Sequence, residues 1–366
     1  MEQSSELKRT PLFEAHVALG ARMTPFAGWE MPVQYASILD EARAVRSRAG
    51  IFDVSHMGRL DIQGPGAVSF LGRVLSFDVP RLPLGRGRYG VICSEDGGII
   101  DDCIAYRRGP ERFLLIPNAS NAAVVLAWLR RWSASTAQVQ IDDVTAKTAM
   151  IANQGPKAAE MLSELTPLEL STVGRFHAVE TQVAGAETLV ARTGYTGENG
   201  FELILPREAA AQAWKLLIEK GTVPCGLGAR DVLRLEAALP LHGHEIDENT
   251  TPIEAGLNRF ISFDKEYVGS DVLRRQHDNG VQRKLVGLQL PGRSAPRAGY
   301  AISDQGERVG EVTSGSYSPT LDTSIGMGYV SERYAVPGTI LDLDVRGRTV
   351  QVEVVNIPFY TRPRRS

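Results

Sequence analysis

Near residue 283 the hydrophobic period of this chain changes, and that change limits the folds open to it. Upstream, apolar residues recur at helical spacing in several segments. Downstream the helical pattern stops, and short strands alternate with Gly, Pro and Ser turns. Leu341, Leu343 and Val345, then Val350, Val352 and Val354, repeat every second residue. Such alternation puts one set of side chains on one face of a sheet, so residues 283–366 are expected to form a small all-β domain.

Upstream, Ile38, Ala42, Val45 and Ala49 fall at i, i+4, i+7 and i+11. This predicts a helix over 37–49, with Ser37 as N-cap, Asp40 three residues on and Gly50 as a stop. Leu60 and Ile62 alternate with polar residues before Gly64-Pro65-Gly66 breaks the chain. A helix over 67–75, two strands within 89–106 joined by a turn at Gly97-Gly98, and a helix over 121–132 follow. Val124, Val125, Trp128 and Leu129 are its apolar residues. Residues 52–144 therefore read as an α+β unit inserted between flanking segments. A second α+β stretch has strands at 188–192 and 201–205 and helices at 208–220 and 230–239. Ala210, Trp214, Leu217 and Ile218 form one stripe. The division expected is 1–51 with 145–282, then 52–144, then 283–366.

Hydrophobic residues are 43% of the 366 and charged residues 23%, enough apolar content for a core. A net charge of -3 argues against nucleic acid, because phosphate neutralisation needs clustered Lys and Arg. The one dense basic run, Arg362, Arg364 and Arg365, reads as a solvated tail. No apolar segment follows the polar start, and no stretch approaches the roughly 20 apolar residues of a membrane helix. The three cysteines form no CxxC pair and read as reduced thiols, so a cytoplasmic protein is expected.

Several motifs could carry chemistry. Gly85-Arg-Gly87-Arg-Tyr-Gly90 is a GxGxxG, but prolines precede it and strand–turn–strand follows, so it is no dinucleotide site. His242 and His244 lack a third ligand and read as a polar loop; no metal is expected. Asp101-Asp102 follows the Gly97-Gly98 turn. Neighbouring strand residues face opposite ways, so one carboxylate can enter a cleft while the other points outward or meets local backbone donors. A merely solvated pair is the alternative. The turn Gly194-Tyr-Thr-Gly-Glu-Asn-Gly200 can approach a ligand closely or can be a plain hairpin. Arg230 opens a helix, where a cation is mildly unfavourable, and so calls for an anionic partner: a ligand, or Asp231 beside it.

Taken in order, Ala27-Gly-Trp-Glu-Met-Pro32, Phe52-Asp-Val-Ser-His-Met-Gly58, Gly97-Gly-Ile-Ile-Asp-Asp102, Gln154-Gly-Pro156, Arg192-Thr-Gly-Tyr-Thr-Gly-Glu198, Gly226-Leu-Gly-Ala-Arg-Asp231, and Thr313-Ser-Gly315 with Ser318-Pro319-Thr320 resemble the glycine cleavage T-protein family. Each is weak alone; the series is specific and spans nearly the whole chain. The resemblance implies a three-domain cloverleaf around a central folate channel. Two domains are α+β, the first with an inserted ferredoxin-like unit, and the third is a small β-barrel or jelly-roll-like domain. It also implies transfer of an aminomethyl group from the lipoyl arm of an H-protein to tetrahydrofolate, with release of ammonia. Tetrahydrofolate is the one-carbon acceptor; no metal is implied. By the same resemblance Asp102 is the catalytic carboxylate, and Glu202 holds the pterin ring. Arg230, Tyr89, Tyr106, Asn118, Tyr195 and Met57 complete the folate site. Leu239 and Phe176 stand where relatives carry tyrosines, and Phe359, Tyr360 and Arg362 resemble the family's closing tail. The expected partners are the lipoylated H-protein and tetrahydrofolate, with no nucleic acid, no membrane and a monomeric chain. A folate-dependent demethylase or a non-catalytic folate-binding protein on the same scaffold are the competing readings.

Overall fold

A computed structural model describes residues 6–134, 138–345 and 347–363. The chain folds as two compact units that interleave along the sequence. The first comprises 1–67, 82–88 and 104–231; the second comprises 68–81, 89–103 and 232–366. The class is α+β, with a closed six-stranded barrel at the C-terminal end of the chain.

In the first unit a six-stranded sheet runs in the order Ala178–Val183, Ala186–Ala191, Gly200–Pro206, Thr148–Gln154, Gly50–Asp53, Val223–Pro224. All pairings are antiparallel except the last, where Val223 and Pro224 lie parallel to Gly50 and Ile51. The expected amphipathic helix is present as Ala210–Glu219, and Ala210, Ala213, Trp214 and Leu217 enter the core. Ile218, counted on the same stripe, is only partly buried. Three further strands, Leu60–Gln63, Arg112–Pro117 and Gln140–Asp143, pair antiparallel in this unit.

The first predicted helix is Ile38–Ser47. Ser37 has the extended backbone of an N-cap, yet its hydroxyl caps nothing. The buried Glu41 holds the turn before the helix instead: its carboxylate accepts from the N–H groups of Tyr35 and Ala36 at 2.7 and 3.0 Å and of Gly226 at 2.8 Å. Asp40 pairs at the surface with Arg43. The sequence signal located the terminus, but the acid that reaches back over the helix start is Glu41 rather than Asp40, and it binds the turn before the N-cap. The helix that carries Arg230 is Leu227–Glu236, three residues earlier than the apolar pattern suggests. Ala238 then turns left-handed at φ 51° and ends it.

In the second unit the barrel closes in the order Arg283–Leu290, Thr323–Ser331, Glu307–Ser318, Ala301–Asp304, Ile340–Val345, Arg348–Val355. The period-two reading holds: Leu341, Leu343, Val352 and Val354 are in its core, and Val345 and Val350 pack against that core. A closed barrel has no unpaired edge. Among the described residues, no helix is long and apolar enough to cross a membrane.

The first unit is pinned at its start by buried polar groups. Asp53 Oδ2 accepts from the Thr10 hydroxyl at 2.6 Å and from His16 Nε2 at 2.9 Å, and Oδ1 accepts from the Ser55 N–H at 2.9 Å. Tyr35 Oη lies 2.8 Å from His16 Nδ1, and Trp214 meets the imidazole edge-on. Burial alone would raise the Asp53 pKa; the bonds from His16, Ser55 and Thr10 reverse this and hold it at about 2. A depressed carboxylate stabilises the fold above its unfolded pKa of about 3.9, and that stability is lost as pH falls through about 2. Asp53→Asn should therefore lower unfolding stability at neutral pH by about 3 kcal/mol in urea denaturation. The deficit relative to the parent protein should shrink below pH 3.

Candidate functional site

Glu202 lies in the middle of the sheet in the first unit, on Gly200–Pro206, opposite Ala191 on one side and Ala152 on the other. Its carboxylate is buried. The Thr193 hydroxyl donates to Oε2 and, in turn, accepts from the Tyr106 hydroxyl at 2.8 Å. Thr193 is the hydrogen-bond donor to Glu202 among the described residues, which leaves Oε1 open. Burial raises the Glu202 pKa; Thr193 and the charge of Arg230 pull it back only partly.

The turn before this strand is shaped by Gln154. Its amide donates to the Thr193 carbonyl at 3.0 Å, and its oxygen accepts from the Thr196 hydroxyl at 3.0 Å. A Cβ on Gly194 would overlap that side-chain amide, so glycine is required there for close approach. The glycine-rich turn and the Gln154-Gly-Pro156 motif are thus one unit, and Thr193 is set in place by both.

Arg230 is half-buried, with its guanidinium carbon 4.6 Å from the centroid of the Tyr195 ring. No hydrogen bond or ion pair joins its guanidinium to another described residue, Asp231 included. Burial lowers its pKa; Tyr195 and Glu202 act the other way. Glu202 and Arg230 feel each other's charge without forming an ion pair. A buried acid and a half-buried base with open valences in one site can recognise a ligand that carries both donors and acceptors.

Met57 and Asn118 lie on adjoining segments of the same unit. The Gly58 N–H donates to the Pro117 carbonyl at 3.1 Å, and a Cβ on Gly58 would strike Pro117 and Ala122. Arg59, fully buried, holds the loop from below. It donates to the carbonyls of Ser55 at 3.0 Å, Met57 at 2.5 Å and Thr145 at 2.7 Å, and to the Thr148 hydroxyl at 2.7 Å. Phe176, where a tyrosine was expected by resemblance, is half-buried with φ 59°, and its carbonyl accepts from the Gly87 N–H at 2.6 Å.

The remaining expected site residues belong to the second unit. Gly97 takes φ 83° in the hairpin turn, and a Cβ on Gly98 would overlap the Glu248 backbone. The next residue, Ile99, donates to the carbonyls of Asp247 and Thr250, both at 3.0 Å. The loop around 247–250 thereby fixes the start of the strand that carries Asp101 and Asp102. Asp101 is fully buried and Asp102 is 9% exposed. Of the two alternatives for Asp101, the outward one is excluded by its burial, which leaves the inward one of meeting local donors. The two carboxylates still differ, since Asp102 alone keeps some access to solvent. Cys103 beside them is buried, and burial together with both acids pushes its thiol pKa well up. Tyr89 packs edge-on against Phe260 at 4.5 Å. Leu239 is partly buried, and Arg364 and Arg365 lie outside the described residues.

Thr193 and Gln154 were not singled out from the sequence. Each lies inside a quoted motif, which was the available signal. Their roles depend on which way a side chain turns, and motif membership does not carry that. Among the described residues, no group of three or more His, Cys, Asp and Glu side chains could hold a metal ion.

Comparison with known proteins agrees with this layout. The GCVT N-terminal domain model matches residues 12–265, and the glycine cleavage T-protein C-terminal barrel domain model matches residues 283–361. An aminomethyltransferase of Rubrobacter xylanophilus is 49% identical, covering 98% of this chain and 95% of that protein. That of Bacillus subtilis is 43% identical, over 97% of this chain and all of the relative. The crystal structure of the glycine cleavage system aminomethyltransferase T from Bartonella henselae superposes with a TM-score of 0.92 at 37% identity, covering 97% of this chain and 98% of that one.

Glu202 is an acid whose folded pKa is raised. It favours folding only while protonated: its contribution is full below the unfolded pKa of about 4.3 and is lost as pH rises through the raised folded value. Glu202→Gln should therefore melt at or above the parent temperature at pH 7. Any gain should vanish near pH 4, as read by thermal unfolding at both pH values.

Proposed function

The chain belongs to the glycine cleavage T-protein family, and from that premise we propose that Glu202 and Arg230 form its tetrahydrofolate site and that Asp102 assists the chemistry. The protein is an aminomethyltransferase of glycine cleavage. The observation that carries the site is the open pair: a buried carboxylate with a free oxygen beside a guanidinium that bonds to no described residue.

A pterin ring presents an amino-pyrimidine edge whose two N–H groups can meet a carboxylate side by side. Glu202 supplies that carboxylate. Thr193 and Tyr106 fix its orientation from behind, so little is lost in ordering it when folate binds. Arg230, with Tyr195 stacked on it, serves the acceptor groups of the same ligand. The family resemblance assigns Met57, Asn118 and Tyr89 to folate binding as well. The donor is the aminomethyl group on the lipoyl arm of an H-protein. Its carbon passes to tetrahydrofolate, ammonia and the dihydrolipoyl arm leave, and methylenetetrahydrofolate forms. Folate nitrogens are weak nucleophiles, and a carboxylate near the reacting carbon can accept the developing proton or stabilise an iminium cation. Asp102 takes that part. The protein acts as a soluble cytoplasmic monomer, and its working domains are 1–51 with 145–282, 52–144, and 283–366. The start of the barrel domain match at residue 283 supports the last boundary.

Glu202→Ala and Arg230→Ala should each weaken tetrahydrofolate binding about tenfold or more in calorimetric titration, with the fold intact. Unchanged affinity in both would remove the site assignment. Asp102→Asn should keep folate affinity within several-fold and lose about 10²–10⁴ in turnover, measured as ammonia and methylenetetrahydrofolate from aminomethylated H-protein. Asp101→Asn should act mainly on stability. Equal loss of turnover in the two aspartate variants would count against Asp102.

A further inference from the structure

The last turn of the helix Ile38–Ser47 carries a cation that the folate reading does not use. Arg46 forms an ion pair with Glu198 at 3.1 Å, and the two side chains are only 8% and 5% exposed. The same Arg46 nitrogen donates to the Thr196 carbonyl at 2.7 Å. A buried ion pair is a poor device for stability alone, because the loss of water offsets the attraction. The place that Arg46 grips gives it a further use.

Thr196 and Glu198 belong to the glycine-rich turn, and two residues of the same segment serve the open pair. Thr193 donates to Glu202, and the Tyr195 ring lies 4.6 Å from the guanidinium carbon of Arg230. Arg46 holds the residue directly after Tyr195. The Thr196 hydroxyl donates in turn to Gln154, whose amide donates to the Thr193 carbonyl, both at 3.0 Å. An unbroken series of hydrogen bonds therefore runs from Arg46 through Thr196, Gln154 and Thr193 to the Glu202 carboxylate, all within the first unit. The end of the helix is itself seated beside Gln154. The Lys157 N–H donates to the Arg48 carbonyl at 2.9 Å, and a Cβ on Gly155 would strike the carbonyls of Val45 and Arg48. Arg46 thus holds the turn from a fixed base.

We propose that Arg46 is a positioning residue of the tetrahydrofolate site: it clamps the turn whose Thr193 orients Glu202 and whose Tyr195 stacks on Arg230. It touches no ligand and acts through those two residues. This rests on the tetrahydrofolate reading and deepens it. Recognition groups have to be held within about 0.5 Å of their productive geometry, and a misplacement of about 1 Å can cost 10²-fold. One clamp that sets both members of the pair therefore bears on affinity more than on folding.

The test separates binding from folding. Arg46→Met combined with Glu198→Met removes both charges together and leaves no unpaired ion buried, so its melting temperature should stay near that of the parent. Its KM and dissociation constant for tetrahydrofolate should each rise about tenfold, with the smaller change in kcat. A structural role alone would reduce the amount of active protein, and with it the apparent kcat, at an unchanged KM. In a Glu202→Ala background the same two substitutions should raise the dissociation constant about threefold or less, because one of the groups that the turn orients is gone. A full tenfold rise there, or a parent KM in the folded double variant, would overturn the proposal. If the methionine pair does not fold, Arg46→Gln with Glu198→Gln decides. It keeps polar groups, but the shorter side chain at 46 does not reach the Thr196 carbonyl, so a raised KM upholds the proposal and a parent KM overturns it. Parent protein that binds tetrahydrofolate, with loss in Glu202→Ala but none in either double variant, would spare the folate reading and sink only the role of Arg46. Parent protein that binds no tetrahydrofolate would sink both.

Discussion

The site depends on the burial of a carboxylate that is not neutralised. Glu202 stands in the central strands of a six-stranded sheet, where taking an ionised acid out of water is costly, and a neighbouring cation reduces that cost without removing it. A hydroxyl relay from Tyr106 through Thr193 occupies one oxygen and leaves the other. The glycine-rich turn, the Gln154 clamp and the tyrosine stacked on Arg230 all keep that unfinished pair in place. A complete ion pair there would be more comfortable and could recognise nothing.

The second unit shows what completion looks like. Arg234 and Glu245 are both buried and meet at 2.7 Å. Glu245 also accepts from the Leu241 N–H at 3.0 Å and the Thr313 hydroxyl at 2.6 Å, and Arg234 donates to the Ser314 hydroxyl at 2.7 Å. Glu236 likewise accepts from the hydroxyls of Ser318 and Thr320, the latter at 2.9 Å. Every one of these charges is answered by protein. They join the end of a helix to the barrel and leave nothing for a ligand, in contrast with Glu202 and Arg230.

That contrast explains what the sequence could and could not disclose. Period-two alternation disclosed the barrel because a closed sheet repeats one simple rule along each strand. Trp214 and Leu217 marked their helix for the same kind of reason. The role of Glu41 was missed because Asp40 satisfies the local rule, and only the tertiary approach of Gly226 favours its neighbour. The motifs at 313–315 and 318–320 stood out in the sequence as strongly as those at 192–198, yet their side chains tie Glu245 and Glu236 into the fold. Strand alternation left Asp101 either outward or turned to local donors, and burial removes the first because neither face of its strand is wet. Motif order carried the family; the division of motif residues between holding and binding required the directions of side chains.

Arg59 grips carbonyl oxygens at Ser55, Met57, Thr145 and Thr148. Every residue type has such an oxygen, so those four bonds survive replacement of the side chains above them. Sequence drift at Met57 is therefore compatible with an unchanged loop path, whereas the hydroxyls of Ser55 and Thr145 also bond the Met150 backbone and the Arg59 N–H, and Arg59 itself is irreplaceable by anything with fewer donors. The loop's shape is thus inherited through one arginine and two hydroxyls, and Met57, held only by its backbone, can change as the ligand demands.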